Sequence, residues 1–189
     1  MPIRILIAGD HAVFRAGLKA LLEKESALQI VGEAGDGFAT VEAATNLEID
    51  VLLLDITMPN LSGVKVAELV LRKRPKLAIV VLTMHEDEYY LREFLKIGVR
   101  GFVLKKSTRT ELLTAIRATY DGEQFVDPIL AGHVISTYVG GSHGKKTGSR
   151  QDLLTPREHI MRARAIDANI EFVSFDLTQP RHGCTEMAL

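Results

Sequence analysis

Five short apolar runs recur along the sequence, and their spacing constrains the fold more than any other feature. They read "IRILIA", "LQIVGEA", "DVLLLD", "LAIVVLT" and "GFVLK". Their centres lie roughly 25 residues apart, which is the length that a strand, a helix and two short loops require. The sequence therefore predicts a series of βα units.

The segments between the runs have the period of amphipathic helices. Phe14, Leu18 and Leu21 are spaced i, i+4 and i+7, and "TRTE", from Thr108 to Glu111, forms a capping box that begins a last helix. Five βα units predict an α/β domain whose parallel sheet is covered by helices on both faces. We expect the flavodoxin-like (βα)5 arrangement, with five strands in the order 2-1-3-4-5 and a short C-terminal extension.

The stretch "DVLLLDITMPNLSG" places a carboxylate, Asp55, at the end of a run that is apolar enough to be buried on both faces. An ionised group there must reach water or have a charged partner. In the order 2-1-3-4-5 the strand order reverses between strands one and three, and Asp10 in "GDH" follows strand one. We expect Asp10 and Asp55 to converge on one crevice and to hold a divalent cation between them.

Two further polar residues end the last two predicted strands. Thr83 ends strand four and Lys105 ends strand five. A carboxylate, a metal-holding acid, a hydroxyl and an amine are the groups that phosphoryl transfer requires. In this hypothesis Asp55 is the nucleophile, Asp10 holds Mg²⁺, and Lys105 and Thr83 contact phosphoryl oxygens.

These residues, in "GDH", "LLLDITMPNLSG", "VVLTMHE" and "GVRGFVLKK", resemble the receiver domain of bacterial two-component response regulators. The similarity is to the NarL/FixJ branch, which carries a LuxR-type helix-turn-helix. It implies that Asp55 is the phosphoacceptor for a sensor histidine kinase and that Asp10, Asp55 and the backbone carbonyl of Thr57 bind Mg²⁺. It also implies that Phe102 is the aromatic switch, whose inward rotation accompanies movement of Thr83. Without the resemblance, Phe102 would be interpreted as a core residue.

The sequence departs from the family pattern at Gly9, where the family has an acid. The site then contains two acids instead of three, which predicts weaker Mg²⁺ binding and a tendency toward a lower pKa for Asp55. The alternative is that a bound water fills the gap with little consequence. His11 and His85 are expected near the mouth of the crevice as polar neighbours of the site.

The pattern changes after the fifth unit. We predict a receiver domain over residues 1–122, a Gly/Ser-rich basic linker over 123–152, and the start of a LuxR-type helix-turn-helix domain at 153–189, where "LLTPRE" appears. The last segment is shorter than the roughly 60 residues of such a domain, and "IEFVSFDLT" alternates like a strand. The sequence thus predicts a truncated or aberrant domain, and DNA binding is expected only if that domain is functional.

Three other functions compete with that of a transcriptional regulator. A stand-alone receiver would act by protein–protein interaction or as a phosphoryl sink. A haloacid-dehalogenase-type phosphatase would need an acid where Thr57 stands, and a flavodoxin would need a phosphate loop in place of "GDHAVFRAG". We therefore predict no enzyme. The resemblance also implies a homodimer on phosphorylation, with the fourth or fifth helix as candidate faces.

Composition adds the expected location. The formal net charge is −1, and the single cysteine, Cys184, excludes an internal disulfide framework and suits a reducing compartment. The apolar run at the N-terminus is too short for a membrane span. We predict a cytoplasmic protein with no membrane partner.

Overall fold

Strands and helices alternate along the chain. The computed structural model describes residues 1–84 and 88–132, which belong to the first of two compact units, Met1–Ser142. The strands are β1 (Ile3–Ala8), β2 (Leu28–Ala34), β3 (Val51–Asp55), β4 (Ala78–Thr83), β5 (Gly101–Leu104) and β6 (Phe125–Val126). The helices are α1 (Ala12–Leu22), α2 (Gly37–Asn46), α3 (Gly63–Lys73), α4 (Glu88–Ile97) and α5 (Arg109–Tyr120).

The strands form one sheet in the order β2-β1-β3-β4-β5-β6, and all its pairs are parallel. The predicted order of the first five strands is confirmed. From β1 the chain passes outward to β2 and then returns to β3 on the other side of β1. Ala8 is paired in register with Leu54, so the loops that follow β1 and β3 leave the same edge of the sheet side by side.

Helices cover both faces of the sheet, which explains why its central strands β3 and β4 are apolar up to their last residues, Asp55 and Thr83. Every residue of β3 and β4 is buried. Leu52 and Leu54 of β3 belong to the core cluster that includes residues of α2, α3 and α4. Val51 and Leu53 belong to the cluster that includes residues of α1 and α5. Because these side chains are fully enclosed, truncating one of the leucines to alanine is expected to cost roughly 2–5 kcal/mol.

Side-chain caps fix where three of the helices begin. Asp36 accepts a hydrogen bond from the backbone N–H of Ala39 at the start of α2. Ser62 accepts a hydrogen bond from the backbone N–H of Lys65 at the start of α3. The capping box predicted from "TRTE" is confirmed: Thr108 accepts from the N–H of Glu111, whose side chain accepts from the N–H of Thr108. These contacts satisfy N–H groups that a helix leaves without partners in its first turn.

The prediction of a five-stranded sheet was wrong by one strand. Phe125 and Val126 form β6 and pair with Gly101 and Phe102 of β5. Leu130, farther along, is buried in the core. Packing therefore extends past residue 122, where the sequence suggested that a linker begins. Two residues are too few to show an alternating pattern, so β6 has no periodic signal of its own.

Several predictions lie outside the described residues. They concern His85, the part of the proposed linker from residue 133 onward, and the segment 153–189. Within residues 1–84 and 88–132, none of the helices is long and apolar enough to cross a membrane.

Candidate functional site

Four predicted site residues lie at one edge of the sheet, at the carboxyl ends of the strands. Asp10 follows β1, Asp55 ends β3, Thr83 ends β4 and Lys105 follows β5. The register aligns these ends, because Asp55 is paired with Leu82 and Thr83 with Leu104. Groups from four separate parts of the sequence are thereby brought to one edge by the parallel sheet.

The carboxylate of Asp55 has a charged partner. Its Oδ2 lies 2.6 Å from Nζ of Lys105, and the two side chains are only 4% and 10% exposed. The backbone N–H of Thr57 donates to the other oxygen, Oδ1, at 3.3 Å. The ammonium and the N–H compensate for part of the solvation that the carboxylate loses at the end of a buried strand.

Burial nevertheless has the larger effect on Asp55. Loss of water raises the pKa of its carboxyl above the ordinary aspartate value, although the hydrogen bond and charge of Lys105 and the N–H of Thr57 lower it. The negative charge of Asp10 adds to the increase. The sequence suggested a tendency toward a lower pKa because Gly9 removes one acid; in the folded protein, burial outweighs that tendency.

Asp10, His11 and Asp55 form the one group of potential metal ligands among the described residues. Each offers one ligand atom, and these atoms lie within 4.8 Å of one another. Oδ1 of Asp10 is 2.6 Å from Nδ1 of His11. Asp10 and His11 are exposed whereas Asp55 is buried, so an ion can reach the group from solvent. Two carboxylates that can approach one point suit a hard divalent cation such as Mg²⁺.

Gly9 leaves room beside Asp55, and its backbone is held in place. A Cβ at position 9 would lie 3.2 Å from Cβ of Asp55 and 3.3 Å from its Oδ2. The carbonyl oxygen of Gly9 accepts a hydrogen bond from Nη1 of Arg15 at 2.5 Å, and Nε of Arg15 lies 3.7 Å from Oε2 of Glu33. The sequence analysis did not identify Arg15, because its contact depends on how α1 packs against β2.

Phe14 is a second residue that the sequence analysis assigned only to a helix face. Nζ of Lys105 lies 5.0 Å from the centre of its ring, which is cation–π distance. The amine of Lys105 thus has the Asp55 carboxylate and an aromatic face as neighbours. An aromatic residue four positions after Asp10 was the available signal, but its heptad-like spacing with Leu18 favoured a core role.

The two predicted switch residues are both buried. Thr83 is 5% exposed at the end of β4. Phe102 is 2% exposed in β5, and its ring packs edge-to-face on Phe94 of α4 with centres 6.2 Å apart. Phe102 therefore occupies an inward position between the sheet and α4. This position also suits a core residue, so the role of Phe102 as a switch stays a prediction.

A doubly wound parallel sheet whose carboxyl edge carries a buried aspartate, a lysine in contact with it and a second aspartate defines a receiver-type signalling domain. Comparison with known families agrees with this class. Residues 5–117 match the response regulator receiver domain. The chain belongs to the response regulator family.

Individual relatives point to the NarL/LuxR branch. The oxygen regulatory protein NreC of Staphylococcus epidermidis is 34% identical over 160 residues, which are 82% of this chain and 73% of that protein. The receiver domain of the putative response regulator NarL from Mycobacterium tuberculosis is 33% identical, with a TM-score of 0.60 over 65% of this chain and 98% of that one. A LuxR-family response regulator from Aurantimonas is 25% identical, with a TM-score of 0.71 over 74% and 99% of the two chains.

Proposed function

We propose that Asp55 accepts a phosphoryl group from a sensor histidine kinase, and that this modification controls the activity of the response regulator. The observation that carries the proposal is the contact between Lys105 and Asp55 at 2.6 Å. It places a fixed positive charge beside the carboxylate, at the edge of the sheet where Asp10 also lies. A cytoplasmic location, as predicted from the sequence, agrees with this function.

The reaction is an in-line displacement at phosphorus. A carboxylate oxygen of Asp55 forms a bond to the phosphorus of the kinase's phosphohistidine while the phosphorus–nitrogen bond breaks. The electron pair of that bond stays on the imidazole, and the product is an acyl phosphate on Asp55. The two negative charges of the phosphoryl group and the charge of Asp10 then lie close together. Nearby positive groups and hydrogen-bond donors therefore determine the barrier to phosphoryl transfer.

Residues of this chain provide those groups. The amine of Lys105 is close enough to Asp55 to transfer its contact from the carboxylate to a phosphoryl oxygen after a small movement. The hydroxyl of Thr83, at the end of the neighbouring strand, is proposed to contact another phosphoryl oxygen. Movement of Thr83 toward the phosphoryl group is proposed to favour the inward position that Phe102 already has in the structure over an outward one, and Phe102 would report phosphorylation to α4 through Phe94.

The chemistry of the donor set fits Mg²⁺. Asp10, Asp55 and the backbone carbonyl of Thr57 are the proposed protein ligands. When bound, the ion neutralises charge between the carboxylates and the phosphoryl oxygens. Nδ1 of His11 lies 2.6 Å from Oδ1 of Asp10 and is a close polar neighbour of the proposed ligands. Because position 9 is a glycine, we infer that the protein binds the ion with two acids and thus with lower affinity.

The direct test uses the full chain with acetyl phosphate and Mg²⁺, followed by intact mass measurement. We expect a gain of one phosphoryl group that is absent in Asp55→Ala. The matched control is Asp50→Ala, which removes the carboxylate that precedes β3 and that pairs with Arg4 instead of Lys105. It should retain the mass gain. A gain that persists in Asp55→Ala, or no gain in the wild type, would contradict the proposal.

A second function is carried by a specific observation: the receiver match spans residues 5–117, and all six strands of the sheet lie within the described residues 1–84 and 88–132. Such a domain could act by protein–protein contact or as a phosphoryl sink without binding DNA. Retention on heparin and a gel shift with duplex DNA, each with and without phosphorylation, separate the two. Binding that increases on phosphorylation favours a transcription regulator, whereas no binding in either state favours the stand-alone receiver. Size-exclusion chromatography of the same samples tests the proposed homodimer.

A further inference from the structure

Asp127 is a buried acid that the proposed phosphoryl transfer does not use. It is 1% exposed and follows β6, beyond the predicted end of the receiver. Its Oδ2 accepts hydrogen bonds from the hydroxyl of Ser107 and from the backbone N–H of Leu104, the latter at 3.5 Å. Its Oδ1 accepts from the N–H of Ile129 at 3.0 Å. A carboxylate held by several donors in the interior fixes the backbone that supplies them.

Two of those donors flank Lys105. Leu104 precedes it and Ser107 follows it by two positions, so the Asp127 carboxylate holds both sides of the turn from which the Lys105 side chain extends. The N–H of Lys105 itself donates to the carbonyl of Thr83 at 2.8 Å. Three hydrogen bonds, donated by the N–H of Leu104, the hydroxyl of Ser107 and the N–H of Lys105, thus hold the turn from which the Lys105 side chain reaches Asp55.

Asp127 also begins the segment that follows the sheet. Its N–H donates to the carbonyl of Phe102 at 2.9 Å, and its own carbonyl accepts from the N–H of Ala131 at 2.9 Å. Residues 128–132 are helical, and the Ile129 N–H bound to Oδ1 is the contact of an N-cap. The same carboxylate therefore joins the turn of Lys105 to the helical residues 128–132.

We propose that Asp127 is a positioning residue for Lys105, and that it couples the state of the Asp55 site to the segment 128–132. This inference rests on the proposed function. When Lys105 transfers its contact from the Asp55 carboxylate to a phosphoryl oxygen, its turn shifts, and the shared carboxylate carries that shift to the N-cap. The coupling is reciprocal: the free energy by which the Asp55 site affects segment 128–132 equals the free energy by which that segment affects the site.

The isosteric change Asp127→Asn tests the positioning role. An amide presents N–H groups where the carboxylate has an oxygen, so at least one of the Ser107, Leu104 and Ile129 donors loses its acceptor. Displacement of a charged group by about 1 Å can slow a positioned reaction by up to about 100-fold. We expect Asp127→Asn to lower the initial rate of phosphorylation by acetyl phosphate and Mg²⁺ about 10-fold, measured on the full chain by intact mass.

A double-mutant cycle with Lys105→Ala distinguishes positioning from a merely structural role. If Asp127 acts through Lys105, adding Asp127→Asn to Lys105→Ala should change the rate less than 2-fold. Equal slowing in both backgrounds, or a wild-type rate for Asp127→Asn alone, would overturn the inference. Asp50→Asn is the matched control, a carboxylate outside the site whose loss should leave the rate unchanged in both backgrounds.

A milder variant and a hydrogen-exchange measurement complete the test. Ser107→Ala removes one donor and leaves Asp127 in place, so it repeats the cycle with a milder change if Asp127→Asn does not fold. Hydrogen exchange of segment 128–132 should change when the wild type is treated with beryllium fluoride, and should respond less in Ser107→Ala. An unchanged segment in the wild type refutes the coupling. No phosphorylation of the wild type at all would instead refute the proposed function.

Discussion

Nζ of Lys105 and Oδ2 of Asp55 are 2.6 Å apart although 50 residues separate them in the sequence, and both side chains are almost inaccessible to solvent. This ion pair explains how a carboxylate can be accommodated at the end of a strand that is buried on both faces. It does not fully compensate for burial, since the pKa of Asp55 stays above its ordinary value. The ionised form of Asp55 therefore costs the folded state free energy.

That cost predicts a pH-dependent stabilisation by Asp55→Asn. Because the folded state holds the Asp55 proton more tightly than the unfolded chain does, the stability of the wild type falls as pH rises from the ordinary carboxyl range through the raised pKa. An asparagine remains neutral and avoids this loss. Urea unfolding between pH 4 and 8 without divalent ions should show that the variant gains stability relative to the wild type as pH rises.

Asp50 provides a control of opposite sign. Hydrogen bonds from Arg4 lower the pKa of Asp50, so its contribution to stability is present above the ordinary carboxyl pKa and is lost as pH falls through the lowered value. Asp50→Asn should thus be less stable than the wild type at pH 7, with a difference that shrinks toward low pH. Parallel pH profiles for the two variants would refute the explanation based on Asp55 burial.

The second prediction concerns the metal. Asp10→Asn removes one of the two carboxylates proposed to share the ion, and we expect the dissociation constant for Mg²⁺ to rise about 10-fold or more. Isothermal titration calorimetry on the full chain measures it. Phosphorylation by acetyl phosphate should stop when EDTA removes the ion and should recover with added Mg²⁺.

Glu68→Gln is the control for general loss of negative charge. Glu68 lies on α3, where it pairs with Lys65 and Arg72, and it is not one of the proposed ligands. The Mg²⁺ affinity of this variant should remain within about 2-fold of the wild type, because the charge of Glu68 is screened by solvent and by two cations. If Asp10→Asn and Glu68→Gln weakened binding equally, the ion would not be held by Asp10.

Most of the fold follows from the sequence because its first five strands are apolar and regularly spaced. The apolar runs that contain Leu52 and Val80 indicate central strands of a parallel sheet, because such strands are buried on both faces and the spacing of the runs leaves room for a helix between them. The order of strands one to five then brings Asp10 and Asp55 to one edge. β6 could not be predicted in this way, because its two residues carry no pattern of their own and the contacts around it come from Asp127 and Leu130, which follow it in the chain.

The same distinction applies to the site. Lys105 and Asp55 were predicted because each ends a strand, and strand ends meet by topology. The contacts of Arg15 with Gly9 and of Phe14 with Lys105 were not, because they depend on the rotation of α1 about its axis. A helical pattern identifies the buried face of α1, but it does not reveal which side chain reaches past the end of β1.

The third prediction separates crowding from charge at position 9. Gly9→Asp adds a third acid beside the ion, and we expect Mg²⁺ to bind roughly 10-fold more tightly. Gly9→Ala is its control, because it adds the same Cβ, 3.2 Å from Cβ of Asp55, without the carboxylate. It should not tighten binding. Calorimetric affinities that are identical for the wild type and Gly9→Asp would show that a water or another group already compensates for the missing acid.

The fourth prediction concerns the loop that joins Asp55 to α3. A Cβ at Gly63 would lie 2.4 Å from the carbonyl oxygen of Asp55 and 2.9 Å from Cα of Ile56. These are backbone atoms that cannot rotate away, and the N–H of Gly63 also donates to the carbonyl of Ile56 at 2.9 Å. Gly63→Ala should therefore displace the loop, with a loss of about 1–3 kcal/mol in the free energy of unfolding and slower phosphorylation.

Gly17→Ala is the matched substitution in an open position. Gly17 lies within α1, and a Cβ there meets no atom within 4 Å. Because alanine restricts the unfolded chain and favours the helix, this variant should gain about 0.5–1 kcal/mol in urea unfolding. The two changes add the same methyl group, so opposite signs attribute the loss at Gly63 to its contact with the backbone of Asp55. If Gly63→Ala were stable and were phosphorylated at the wild-type rate, the loop would accommodate the methyl group without displacing Asp55.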